Sequence, residues 1–280
     1  MEIKYFGQYL IEKKIISTKD LLRVMKLQTE NNDSLVDFAW RKGFINQEQY
    51  ERILQHQLQN NVSFINAALD LNILTQLEME KLLSAQISKN LLLSEALVNE
   101  KILTQDQIDK HFRAFRSEQS ILEFNILNAI STHKNSDVIH VLIQSITNLF
   151  RYLLDVQPRI GGFAKDIHFE KDYEWVALQR LSGDIDVLIQ LFLHEDLICL
   201  ISTALWRKEM NEINEYTLDS VKEFLNIVIG YTCTSLSMKN IKCEPNIPEI
   251  GSSKELNFET DHWVVPFLYP GGSFEVRIIF

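Results

Sequence analysis

Residues 217–230 read TLDSVKEFLNIVIG, and the second half of the chain is decided by how these fourteen residues are arranged. At 100° per residue, Asp219, Glu223, Asn226, Ile227 and Gly230 fall within an arc of about 100°. Leu218, Val221, Leu225 and Val228 point away from that arc, as the core side of a helix does. The spacing predicts an amphipathic helix with one shallow polar face, on which an acid and a carboxamide stand one turn apart. Gly230 has no side chain, so another molecule can approach the backbone closely there.

Helix and strand signals alternate on both sides of this stretch. Residues 136–154 are apolar around much of a helical circumference, which predicts a helix buried against a sheet. WVALQRLSGDIDVLIQLFL follows, with Ser182-Gly183-Asp184 placed as a hairpin turn between two β-rich runs. HEDLICLISTALW is helical by spacing, and the chain closes on HWVVPFLY and SFEVRIIF, joined by Pro270-Gly271-Gly272. Helix and strand pairs used twice around one antiparallel sheet predict an α+β domain with an internal pseudo-repeat over residues 121–280.

In this order the pieces resemble the CheC/CheX/FliY group of chemotaxis phosphatases. The likeness covers about residues 136–280. It rests on the SGDIDVLIQLFL hairpin, the DSVKEFLNIVIG helix, Ile247-Pro248 and the closing VVPF…GGSFEV strands. The most specific element is the family's acidic-or-serine, three residues, glutamate, two residues, asparagine signature, met by Asp219, Glu223 and Asn226. Pro248 sits one position closer than the family pattern for its following proline.

The resemblance implies that the chain removes the phosphoryl group from the aspartyl phosphate of a response regulator. Glu223 and Asn226 are then the catalytic residues, with Asp219, Ile227 and Gly230 as partner-contacting neighbours. Hydrolysis of an acyl phosphate needs a water held in line with the leaving carboxylate, because phosphoryl transfer is governed by positioning and charge stabilisation. A carboxamide can donate to and accept from that water without adding negative charge. Glu223, which would repel a phosphoryl group, is expected instead to pair with a lysine of the regulator. No cofactor or metal is expected on this chain, since the magnesium ion belongs to the regulator. Gln144 and Asn148 on the earlier helix lack the Glu-x-x-Asn spacing, so one site is expected and not two. The alternative is an adaptor that binds a receiver domain, or a second copy of itself, without turnover.

The first 120 residues read differently. Ser17, Asn46, Thr75 and Thr104 recur at 29-residue intervals, each followed three residues later by Asp20, Gln49, Glu78 or Gln107. These are capping-box pairs and predict four helix starts. Ile16, Ile45, Leu74 and Leu103 precede the caps, with staple partners Leu21, Tyr50, Met79 and Ile108 four residues after them. Met25, Leu54, Leu83 and Phe112, eight after the caps, are expected on the same apolar faces. Phe6, Leu35, Phe64 and Leu93 recur before the caps, as do Leu10, Ala39, Ala68 and Leu97. An all-α module of four 29-residue repeats over residues 1–120 is therefore expected, joined to the second domain near residue 120.

This module resembles the helical N-terminal domain of type II secretion ATPases. Some relatives of that domain bind cyclic di-GMP through an opening arginine, but Tyr5, Ser34, Ser63 and Leu92 stand at that position here and only Gly43 keeps the turn glycine. Without guanidinium groups the nucleotide loses its charge-assisted contacts, so a cyclic-di-GMP-responsive regulator ranks behind the other two readings.

The net charge of −10 is carried mostly by residues 121–280, with 13 Lys/Arg against 22 Asp/Glu. That argues against a nucleic-acid partner. Cys199, Cys233 and Cys243 show no CxxC or Cys/His spacing and are expected as reduced core thiols. His140, His168, His194 and His262 have no nucleophile at a recognisable spacing and read as surface or strand-edge residues. Trp175, Trp206 and Trp263 read as core or rim packing. With neither a signal peptide nor a run of about 20 apolar residues, a cytoplasmic protein is expected.

Overall fold

The computed structural model describes residues 3–31, 35–60, 62–87, 92–165, 173–255 and 261–280. Ser34 and His168 lie outside these residues, and so does the side chain of Leu83. The chain divides into two compact units, Lys4–Ile121 and, together with Ile3, Leu122–Phe280.

The first unit is helical: α1 (Phe6–Glu12), α2 (Thr18–Asn31), α3 (Leu35–Arg41), α4 (Gln47–Asn60), α5 (Phe64–Asp70), α6 (Gln76–Ile87), α7 (Leu93–Asn99) and α8 (Gln105–Ser131). The four longer helices each begin after one of the four caps. Ser17 Oγ, Asn46 Oδ1, Thr75 Oγ1 and Thr104 Oγ1 accept from the amides three residues on at 2.9–3.3 Å. The side chains of Asp20, Gln49, Glu78 and Gln107 accept from the cap amides in return. These reciprocal bonds satisfy donors that the first helical turn leaves unpaired.

The staple residues are buried at all four starts. Of the positions eight after the cap, Leu54 is buried as expected, but Met25 and Phe112 are exposed, while Val24, Ile53 and Leu82, seven after the first three caps, are fully buried. In the first three repeats the interior stripe therefore includes the residue one position earlier. Ile121, Phe124 and Leu127 are exposed on α8, which continues to Ser131.

The second unit contains α9 (Ser136–Leu154), β1 (Arg159–Ile160), β2 (Ala164–Lys165), β3 (Trp175–Gly183), β4 (Val187–Leu193), α10 (Glu195–Trp206), α11 (Glu215–Ser237), β5 (Cys243–Pro245), β6 (Glu249–Ser252), β7 (Trp263–Tyr269) and β8 (Gly272–Ile279). The strands form one antiparallel sheet of order β1-β7-β8-β4-β3-β5, with β2 beside β7 and β6 beside β3. The register aligns Ala177 with Leu191 and Leu191 with Val276. It likewise aligns Gln179 with Ile189 and Ile189 with Ile278, so both rows share one face.

Helices α9, α10 and α11 pack on one another, and α11 also packs on β3. Phe150 of α9 stacks on Phe274 of β8 at 4.6 Å and meets Phe224 of α11 edge-on at 5.5 Å and 88°. Phe267 stacks on the other side of Phe274 at 4.8 Å. These offset and T-shaped contacts are the favoured geometries for aromatic pairs and join helix layer to sheet. On the opposite sheet face Glu275 and Arg277 form a buried ion pair, with the guanidinium 4.1 Å from the Phe192 ring.

Candidate functional site

Helix α11 is placed at both ends by local bonds. Asn214 Oδ1 accepts from the Thr217 amide at 3.1 Å, and Thr217 Oγ1 accepts from the Asn214 amide at 2.9 Å. At the other end Asn240 takes a positive φ of 62° and the Ile241 amide donates to the Leu236 carbonyl, turning the chain toward β5. Between these ends Val221, Phe224, Leu225, Val228 and Ile229 are buried. Asp219, Glu223, Asn226 and Gly230 are exposed, and Ile227 is half-buried at their edge. The five residues singled out by helical spacing thus occupy one outward face. A Cβ built on Gly230 meets nothing within 4 Å.

The polar residues of this face differ in what holds them. Asp219 is paired with Lys222 at 2.5 Å. Glu223 has no hydrogen-bond or ion-pair partner among the described residues. Asn226 is held from below: its Oδ1 accepts from Gln179 Nε2 at 3.3 Å. Gln179, on the helix-facing side of β3, is fully buried, and its Nε2 also donates to the Asn246 carbonyl at 2.7 Å. Asn246 in turn donates through its amide to the Arg180 carbonyl at 2.9 Å. The next residue, Ile247, is 85% exposed.

The hairpin and the segment after α11 are tied together beside this face. Asp184 donates its amide to the Lys242 carbonyl and accepts the Lys242 amide on Oδ2, both at 2.8 Å. Gly183 sits between them at φ +137°, and a Cβ there would lie 2.6 Å from the Lys242 carbonyl oxygen. Arg180 grips Asp186 with two 2.7 Å bonds and holds its carboxyl below the usual range.

The sequence reading missed several features. Gln179 interrupts the inward row Ala177, Gln179, Leu181, and a polar residue in an apolar row of period two was the available signal. Cys233 and Cys243 are half-buried, not core, and their sulfurs approach to 3.3 Å. Burial, reinforced by Cys243, pushes the Cys233 thiol up to about 12. Two isolated cysteines ten residues apart carry no local sign of that approach. His262 is buried, not at a surface, and Trp206 is exposed, with its indole N–H donating to Ser220 Oγ. No group of three or more His, Cys, Asp or Glu residues is arranged to hold a metal among the described residues. No helix there is long and apolar enough to cross a membrane.

Residues 175–269, which include β3, β4, α11 and β7, match the family described as chemotaxis phosphatase CheX. The curated "CheY-P phosphatase CheX" of Thermotoga maritima is 23% identical over 124 residues, 44% of this chain and 80% of that protein. Among solved structures, a CheC-like superfamily protein from Shewanella sp. PV-4 is similar at 20% identity and a TM-score of 0.47, over 51% of this chain and 97% of its own. A chain of a CheX-CheY-BeF3-Mg+2 complex from Borrelia burgdorferi is similar at 19% identity and a TM-score of 0.43, over 50% of this chain and 95% of its own.

Proposed function

From a C-terminal domain of the CheC/CheX/FliY type, we propose that this protein hydrolyses the aspartyl phosphate of a CheY-like response regulator in the cytoplasm. The observation that carries the reading is the outward pairing of Glu223 and Asn226, one turn apart on α11, within the matched residues. The curated relative's name supplies the substrate class.

The chemistry follows from what each side chain offers. A carboxylate with no partner among the described residues presents an available negative charge, and a lysine of the regulator supplies its complement. That contact sets the register in which Asn226, about 4.5 Å along the helix axis, meets the acyl phosphate. The Asn226 carboxamide orients a water for in-line attack on phosphorus. The P–O bond to the aspartyl carboxylate breaks, and inorganic phosphate leaves. The magnesium ion on the regulator offsets the phosphoryl charge, and this chain contributes no covalent intermediate. Half-buried Ile227 and exposed Ile247 supply apolar contact beside the polar pair, and open Gly230 admits the regulator's backbone. The helical module contributes partner or regulatory contacts.

The test is loss of phosphate from a CheY-type receiver domain charged with acetyl phosphate. Asn226→Ala should bind the regulator and lose most turnover, whereas Glu223→Lys should lose affinity because like charges meet. Equal rates for wild type and both variants would remove the catalytic assignment and leave a binding adaptor.

A further inference from the structure

We propose that Gln179 is a positioning residue for this site: its buried carboxamide fixes which end of the Asn226 carboxamide faces the substrate. The inference rests on the phosphatase reading of Asn226 and adds a residue 47 positions away in the chain.

Hydrogen-bond polarity fixes the orientation of both amides. The Asn246 carbonyl oxygen can only accept, so Gln179 must present its NH2 toward it, at 2.7 Å. The second hydrogen of that NH2 points to Asn226, at 3.3 Å, and only the oxygen end of Asn226 can receive it. Asn226 therefore turns Oδ1 inward and Nδ2 outward. A backbone carbonyl thus dictates, through two amides in series, that N–H donors face the place where water and phosphoryl oxygens arrive. An unsupported asparagine on an exposed helix face would sample both amide orientations and several rotamers. A preset one removes that reorganisation from the chemical step.

A second observation separates this role from plain packing. Gln179 is fully buried, and its Oε1 has no hydrogen-bond partner among the described residues. A buried, unpaired carboxamide oxygen destabilises a fold relative to an apolar side chain of the same shape. Packing alone therefore favours methionine or leucine at this position, in line with Ala177 and Leu181. The donors of Nε2 account for the glutamine.

The test uses the full chain with Gln179→Met, backed by Gln179→Leu, in wild-type and Asn226→Ala backgrounds, against the acetyl-phosphate-charged receiver domain. The expected result is a kcat lowered roughly tenfold or more, a KM within about twofold, a Tm equal to or above that of the wild type, and no further loss of kcat when Asn226 is already alanine. The Asn226 side-chain amide resonances, assigned by their disappearance in Asn226→Ala, should shift in Gln179→Met. A wild-type kcat in both Gln179 variants overturns the proposal, as does an equal proportional loss in the Asn226→Ala background or unmoved Asn226 amide resonances. If Asn226→Ala itself turns over at the wild-type rate, the phosphatase reading fails. The amide resonances then decide the Gln179–Asn226 coupling by themselves.

Discussion

Replacing Phe224 tests whether α11 is anchored as the aromatic contacts indicate. Phe224 is 1% exposed and meets the Phe150 ring at 5.5 Å and 88°, so Phe224→Ala removes a fully buried ring and a T-shaped pair together. Phe→Ala at such a site costs about 3–5 kcal/mol, of which the aromatic pair accounts for ~0.5–1.5. Phe224→Leu keeps most of the apolar burial, loses the pair, and should cost about 1–2 kcal/mol. With a urea dependence of roughly 2 kcal/mol per molar, the alanine variant should unfold at a midpoint lower by about 1.5–2.5 M and the leucine variant by under ~1 M. Tryptophan fluorescence is the assay, because Trp175, Trp206 and Trp263 lie in the second unit and only Trp40 in the first. Because the ring points away from the Glu223–Asn226 face, the leucine variant should keep turnover within about threefold. An alanine variant that loses less than ~1 kcal/mol, or no more than the leucine one, would refute the anchoring.

Gly183 and Gly230 should respond to alanine in opposite directions. Gly183→Ala forces a Cβ to 2.6 Å from the Lys242 carbonyl at φ +137° and should cost at least about 2 kcal/mol by urea unfolding. Gly230→Ala lies on an open helix face and should stabilise by roughly 0.5–1 kcal/mol, while weakening regulator binding in a titration if the backbone is approached there. The thiols should also separate by pH. With Cys233 pushed up to about 12, its thiolate is scarce at pH 8 and its alkylation by iodoacetamide should lag far behind that of a free peptide thiol, accelerating only as pH climbs toward that value. Mass spectrometry of the alkylated peptides reads this directly, and rapid Cys233 labelling at pH 8 would contradict the burial.

Much of the site was legible because it is built along one helix. Glu223, Asn226 and Gly230 share a face through the 3.6-residue period alone, and the buried Val221, Leu225 and Val228 confirm which side is which. The support beneath Asn226 was not legible, since Gln179 reaches it only when β3 is laid under α11. The exposure of Ile121, Phe124 and Leu127 on α8 was hidden for a related reason: apolar spacing shows that residues share a face but not whether anything covers it.

What the amino-acid order determined alone is what hydrogen bonds over three or four residues can decide. The caps at Ser17, Asn46, Thr75 and Thr104 and the start of α11 at Asn214 belong here, because both partners in each bond lie within a single turn. Tertiary packing alone decided that Val24, Ile53 and Leu82, seven after the cap, are fully buried while Met25 and Phe112, eight after it, are exposed. It also brought the Cys233 and Cys243 sulfurs to 3.3 Å and set the carboxamide of Gln179 between Asn226 and the Asn246 carbonyl. Contacts between residues far apart in the chain depend on how strands register and helices dock, and no local period encodes that geometry.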